Sequence, residues 1–318
     1  MILVLFTFGV LAVLAGEFAR AMREDALSTV NYKLETVGHY AAVAAINEAM
    51  LAMFTARASQ DFDPTAAPPE DETAVDETGE QVVRDLLRGD GRWVRGRFEG
   101  VPYEVRAIDE GGKVAVNRVK GDVLHRLILN LGYEEEVAET VSDSILDWID
   151  EDDDHRLHGA EDRYYKSLRR PYPAKNAPLD AVEELLLVRG VTRDMYYGSA
   201  DVPGLRDIFS VFASSTRLNM RSVRPGVMIA LTGISKQEAD DFAARRRQDP
   251  SAISAELAAL FEPVGTGSPR DSLPTDVTIE ARVKDSADKI VSHVGAIVRI
   301  RNGFRVYRWY DSVFHEDE

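Results

Sequence analysis

Five acidic side chains in a row, Asp150 to Asp154, are the strongest constraint in this sequence, because no compact fold holds them together unless something neutralises their repulsion. They sit in DWIDEDDDHRLHGAEDRYY, Asp147 to Tyr165. Asp150, Asp152 and Asp154 fall at positions 1, 3 and 5 of a calcium-type loop, and Glu161 falls at position 12, where such loops place a bidentate carboxylate. Asp162 adds a nearby carboxylate, with main-chain carbonyls to complete the shell. Hard oxygen ligands at this spacing suit Ca²⁺ better than Zn²⁺, which favours nitrogen and sulfur. The match is incomplete, since position 6 is His155 where the sharp turn normally wants Gly. The alternative is a solvated acidic loop, as charge runs usually are. Gly159 and the pair Tyr164, Tyr165 give the flanks a folded character. A zinc site on His155 and His158 would lack any cysteine or second histidine cluster.

A chain of 318 residues has room for two domains and a sizeable core. Its net charge of −16 argues against a nucleic-acid partner, which needs a basic face. With no cysteine, disulfides and thiol chemistry are excluded.

The opening residues, MILVLFTFGVLAVLAG, are almost wholly apolar and approach membrane-spanning length once Phe18 and Ala19 are added. No Lys or Arg precedes them, which leads us to expect that a short basic leader has been removed or left out. Helical spacing continues through Leu27, Val30, Leu34, Val37, Ala41, Ala44 and Ala45, with no proline before Pro64. A helix from Met1 to near Arg57 would be about 85 Å long, so its second half must lie against a domain outside any membrane. A cleavable signal peptide followed by an ordinary helix is the alternative.

From Asp61 to Glu80 the composition turns to Pro, Asp, Glu and Thr and reads as a mobile loop. Beyond Gly89, RWVRGRFEG and VPYEVRAIDE alternate as two strands joined near Gly100, with a turn at Asp109 to Gly112. Asp276 to Arg282, Lys289 to Ile300 and Phe304 to Tyr310 also read as strands, the last two joined by Asn302-Gly303, a strong hairpin signal. Because an isolated hairpin is marginal, the two strand-rich ends are expected to form one sheet with the helical middle inserted into it. That middle holds a weak repeat. Lys113 to Ile128 can be laid on Arg217 to Thr232, so that Val114 meets Leu218, Val116 meets Met220, Val123 meets Val227 and Leu127 meets Leu231. The second copy continues through Gly233 into a further helix with Ala239 and Phe242 inward, as in a helix-hairpin-helix, and a third such turn is expected around Gly190. Glu238, Asp240 and Asp241 close to the turn favour packing over DNA binding. Asp180, Glu183 and Glu184 read as the acidic first turn of a helix, and Trp148 as the seat of the acidic loop. No nucleophile elbow, phosphate-binding loop or zinc-protease motif is present, so we expect no enzyme.

With these residues assembled, the chain resembles the K-class minor pseudopilins of type II secretion systems (GspK). The resemblance rests on the apolar stalk helix, the DWID and GAED-x-YY patterns within Asp147 to Tyr165, the PLxxxxELLLVRG-like stretch from Pro178 to Gly190, and LNMRSVRPG. It implies an α+β, pilin-like fold, a long N-terminal helix on an antiparallel sheet with a large inserted α-helical domain containing helix-hairpin-helix-like repeats. The expected segments are the stalk helix at 1–60, the first part of the pilin-like domain at 61–112, the insertion at 113–262 and the closing strands at 263–318. The resemblance also implies Ca²⁺ in the acidic loop, processing by a prepilin peptidase, an inner-membrane anchor with the globular part in the periplasm, and partnership with the I- and J-class minor pseudopilins at the pseudopilus tip. No nucleic acid or small-molecule substrate is expected. Leu3, Val4, Leu5, Phe8 and Leu11 are the expected membrane and stalk-packing residues; the apolar Leu5, where major pilins carry Glu, suits a subunit with no neighbour above it. The remaining alternative is a stand-alone, membrane-tethered, calcium-dependent binding module that could engage DNA through its hairpin turns.

Overall fold

The computed structural model describes residues 1–58, 79–199, 201–248, 256, 259–261, 272–301 and 303–311. The Asp61–Glu80 loop lies outside these except at 79–80, as do Asn302 of the hairpin and the side chain of Leu5.

Helix α1 (Ile2–Ala58) runs unbroken for 57 residues, a length of about 86 Å. Its first part is apolar and exposed, long and apolar enough to cross a membrane. Its last five turns bury Ala41, Ala42, Ala45, Ile46, Ala49, Met50 and Met53. The alanines bring the helix close to the sheet beneath it, and at Gly38 an added Cβ would stand 3.1 Å from Val291.

The sheet has the order β1-β2-β5-β6-β7, antiparallel throughout, from β1 (Val94–Phe98), β2 (Val101–Asp109), β5 (Asp276–Lys284), β6 (Ile290–Ile300) and β7 (Phe304–Tyr310). Alternation sets the faces: Val277, Ile279, Ala281 and Val283 of β5 are buried against α1, while Thr278, Glu280 and Arg282 look the other way. On that far side the guanidinium groups of Arg106 and Arg282 bracket the Trp93 ring at 4.4 and 4.1 Å. Glu99 and Gly100 both have positive φ, 45° and 86°, so β1 and β2 are joined by a tight two-residue turn of the kind that matches strand twist.

Strands β2 and β5 are neighbours in the sheet although the chain between them builds a second core. That stretch holds a short parallel pair, β3 (Val114–Ala115) with β4 (Phe209–Ser210), and helices α3 (Gly121–Asn130), α4 (Glu135–Ile149), α5 (Asp162–Lys166), α6 (Arg193–Tyr197), α7 (Leu205–Ile208), α8 (Pro225–Thr232) and α9 (Lys236–Gln248). The aligned pairs of the repeat, Val114 with Leu218, Val116 with Met220, Val123 with Val227 and Leu127 with Leu231, are all buried there. Helices α3 and α8 pack together, and Asn130 Nδ2 donates to the Ala230 carbonyl at 3.0 Å. Each is followed by a glycine of positive φ, Gly132 at 89° and Gly233 at 73°, before α4 and α9 respectively. The segment around Asp180 to Leu187 corrects the expected α-helix: Val182–Leu187 is a 3₁₀ turn, because Glu184 folds back onto the amides of Asp180 and Ala181.

Asp109, buried at the end of β2, ties the two cores together. Its Oδ1 accepts from the Gly111 amide at 2.9 Å, and its Oδ2 accepts from Asn219 Nδ2 and Ser222 Oγ, each at 2.6 Å. Asn219 also donates to the Ser272 carbonyl, at the return to the sheet. Removing one partner leaves buried donors or acceptors unmatched, at about 1–3 kcal/mol each. We therefore expect Asp109→Ala and Asn219→Ala each to lower stability by that order. In a double-mutant cycle followed by denaturant melting, the pair should cost clearly less than the sum of the two; strict additivity would show that they act apart.

Candidate metal centre

Helix α4 ends at Ile149, so the acidic run begins where carbonyl ends already concentrate negative charge. The protein supplies one cation from within. Arg156 Nη1 sits 2.6 Å from Asp147 Oδ1 and 2.6 Å from Asp150 Oδ2, and the Arg156 amide donates to both Asp147 oxygens. Asp147 is wholly buried in the last turn of α4. Burial raises its carboxyl above the ordinary aspartate value, and the bonds from Arg156 hold back part of that rise. Gly159 passes so close to Asp147 that an added Cβ would overlap Oδ2, which explains a glycine there by space alone.

The loop is fixed to the helical core by aromatic rings and side-chain bonds. Trp148 meets Tyr165 edge-on at 5.0 Å and Tyr172 at 6.2 Å, contacts of about 0.5–1.5 kcal/mol each beyond their burial. Arg189 donates to the Gly159 carbonyl and covers the Tyr164 ring. Asn176, in left-handed backbone at φ 46°, donates from Nδ2 to the Asp152 carbonyl and to Asp153 Oδ1.

This frame brings together Asp150, Asp152 and Glu161, each with a carboxylate oxygen within 4.8 Å of the others. Oxygens bound to one Ca²⁺ at about 2.3–2.6 Å are no more than ~5 Å apart, so the spacing fits a single hard cation. Two observations point the same way. Glu161 is 5% exposed with neither oxygen hydrogen-bonded, and Asp150 Oδ1 is likewise buried without a partner. Burial, then the neighbouring charges of Asp147, Asp150, Asp153 and Asp152, push the Glu161 carboxyl up to about 7. Such a group is poised to take a cation in place of a proton.

Asp154 and Asp162 stand outside this group. The Asp154 amide instead donates to Asp152 Oδ1 at 2.9 Å. Asp162 uses Oδ2 to pair with Lys166 and Oδ1 to accept from the Ala174 amide. A calcium-loop template assumes that every other residue faces the ion, whereas here Arg156 folds into the loop and claims Asp150. The template also passes over Asp147, Arg156 and Asn176. The DWID and GAED patterns pointed at Asp147 and Gly159 without giving them a role.

The molecule is thus a mixed helix and antiparallel-sheet protein built on one long N-terminal helix, with an acidic loop in its helical part. Residues 103–198 match the family model described as Type II secretion system (T2SS), protein K. Type II secretion system protein K of Pectobacterium carotovorum subsp. carotovorum is 35% identical over 98 residues, 30% of this chain and 30% of that protein. The Pseudomonas aeruginosa protein of the same name is 27% identical over 161 residues, 48% of this chain and 46% of the other. The chain therefore spans less than half the length of these relatives in the matched regions. A chain in the crystal structure of the GspK-GspI-GspJ complex from enterotoxigenic Escherichia coli shares the fold, with a TM-score of 0.54 at 16% identity over 70% of this chain and 84% of that one.

The raised Glu161 carboxyl gives a pH signature in chelator. Its folded-state value, about 7, lies above the ordinary 4.5, so the fold binds this proton more tightly than the unfolded chain. Its contribution to stability is full below about 4.5 and is lost as pH rises through 7. Between those limits, chelated wild type should therefore lose stability relative to Glu161→Gln as pH rises; parallel profiles for the two proteins would contradict the shift.

Proposed function

We propose that this protein is a non-enzymatic minor pseudopilin of the K class, which caps the periplasmic tip of a type II secretion pseudopilus and helps to start its assembly. The observation that carries the reading is the division of α1, whose apolar first part is free while its last part is buried on an antiparallel sheet. Such a helix serves as a membrane anchor before assembly and as a stalk afterwards, with the globular part in the periplasm. Leu3, Val4, Phe8 and Leu11 are exposed in the isolated chain and would be covered first by lipid and then by neighbouring stalks, with Leu5 in the same segment. Processing by a prepilin peptidase belongs to this reading.

On this reading the sheet and stalk are the pilin-like part, and the helices between β2 and β5 are an insertion of helix-hairpin-helix-like units used for packing. A body of that size on every subunit would crowd a filament, while one copy at the end has free space above it. The hairpin before α9 is ill suited to phosphate: Glu238 Oε2 accepts from both the amide and the hydroxyl of Ser235, where a DNA backbone would have to bind. Asp150, Asp152 and Glu161 would hold Ca²⁺, which supplies charge neutralisation and a fixed loop; Arg156 and Asn176 orient the ligands.

Excess Ca²⁺ should raise the melting temperature of the globular part relative to chelator. Saturation at about 100 times Kd would add about 2.7 kcal/mol, and identical melts would leave a bare acidic loop.

The assembly role is tested by copurification from membranes. The full chain should bring down the I- and J-class minor pseudopilins, and removal of the first ~25 residues, a membrane-length helix, should abolish assembly. Labelled copies spaced regularly along filaments would contradict the cap.

A further inference from the structure

Asn176 reaches the acidic loop from 24 residues beyond Asp152, and its side-chain amide is held in one orientation. Nδ2 donates to the Asp152 carbonyl and to Asp153 Oδ1, each at 3.0 Å. Turning the amide over would set an oxygen against these two acceptors, so the nitrogen belongs where it is and Oδ1 faces elsewhere. Oδ1 is buried and accepts no hydrogen bond. The segment that carries it is pinned just upstream. The Ala174 amide donates to Asp162 Oδ1 at 2.8 Å, and Lys175 Nζ is taken by Asp180 and Glu184, at 2.7 Å from each. The Lys175 ammonium is thus neutralised away from the acidic loop.

Elsewhere in the fold, buried polar atoms sit beside an opposite charge. Asp85 Oδ1, on α2 (Gly79–Arg88), lies 3.2 Å from Arg88 Nη1, and His125 Nε2 lies 3.1 Å from Glu135 Oε1. Asn176 Oδ1 and the two Glu161 oxygens are buried with no hydrogen bond among the described residues. These oxygens differ in one respect. A carboxylate can relieve its position by taking a proton, whereas an amide oxygen is satisfied only by a donor or a cation. Ca²⁺ accepts amide oxygens alongside carboxylates, and its shell of about six to eight oxygens is larger than Asp150, Asp152 and Glu161 fill with one oxygen each.

We propose that Asn176 Oδ1 is a direct ligand of the cation held by Asp150, Asp152 and Glu161, so that the ion joins two stretches of chain instead of closing a single loop. This rests on the calcium reading argued above and adds a ligand from outside the acidic run. Asn suits the place in two ways. Its amide oxygen brings a ligand without adding charge to a loop already crowded with carboxylates, and Asn tolerates the left-handed backbone, φ 46°, that presents it. A shell drawn from two separate stretches suits Ca²⁺, whose geometry is flexible, better than Mg²⁺, which demands a near-ideal octahedron.

The test strips the full chain of metal in detergent and measures Ca²⁺ affinity by calorimetry. Tb³⁺ is then bound as a luminescent stand-in for Ca²⁺, and its lifetimes in H2O and D2O count the waters left on the ion. Asn176→Gly is at ease at this φ and removes only the side chain. It should weaken Ca²⁺ binding by about tenfold or more and add a water to the bound Tb³⁺. Asn176→Asp keeps an oxygen in the ligand position and loses the Nδ2 bonds. It should melt lower than wild type in chelator, yet bind Ca²⁺ at least as tightly. Unchanged affinity or an unchanged water count in Asn176→Gly overturns the added ligand and leaves the calcium site standing. Weaker binding by Asn176→Asp than by wild type would mean that the amide only positions the loop through Nδ2, and overturns the proposal as well. Wild type that takes up neither ion overturns the calcium reading and this ligand together. If Asn176→Gly misfolds, Asn176→Asp decides the matter by its affinity.

Discussion

Asp109 is the point on which the two-core architecture depends. It stands where the chain leaves the sheet, and its oxygens hold Gly111 on the way out and Asn219 and Ser222 on the way back. Space there is so tight that a Cβ on Gly89 would come within 2.7 Å of the Asp109 side chain, and one on Gly112 within 2.8 Å of Ser222 Oγ. A buried carboxylate with three donors is stable, and any one donor removed leaves it costly, so the joint is all-or-none. Arg57, donating to the Pro274 carbonyl at 2.7 Å, ties the end of α1 to the segment leading into β5. Helix α1, sheet and helical body are thereby referred to one another within a few residues.

The acidic loop follows the opposite logic. Asp109, Asn219 and Ser222 are hydrogen-bonded within the protein, whereas Glu161 is buried with neither carboxylate oxygen bonded. Arg156 neutralises the half of the loop nearest α4, and Asp152 and Glu161 on the other half have no cationic partner among the described residues. The aromatic seat of Trp148, Tyr165 and Tyr172 fixes the loop's base, so the gap in charge compensation is confined to the facing carboxylates.

Much of this was legible in the sequence because it depends on period and punctuation. The unbroken 3.6-residue rhythm with no proline reads directly as α1, and alternation with Gly100 reads as the β1–β2 hairpin. The sheet order is not carried by any local pattern, yet the marginal stability of lone hairpins was enough to bring the two ends together. The short 3₁₀ turn at Val182–Leu187 was misread as α-helix because its cause, a carboxylate folding onto two nearby amides, has no periodic signature. At the loop, spacing picks out Asp150, Asp152 and Glu161, whose carboxylate oxygens lie within 4.8 Å of one another. It could not foresee that Arg156 would turn inward, since whether an arginine points at solvent or at a carboxylate depends on the packing around it.

The adjacency of β2 and β5 bears on how the molecule can be made. Arg106 and Glu280, bonded across these strands, are 174 residues apart in the chain. Direct closure of so long a loop is entropically costly and intrinsically slow. If the helical body condenses first, its two ends emerge side by side at Asp109 and Ser272, and the strands then need to search only a short distance. On this account the helical body is a folding template for the sheet. In that order of events, β2 has its inner edge unpaired while the helical body is still open, and that interval is when the chain is most exposed to misassembly.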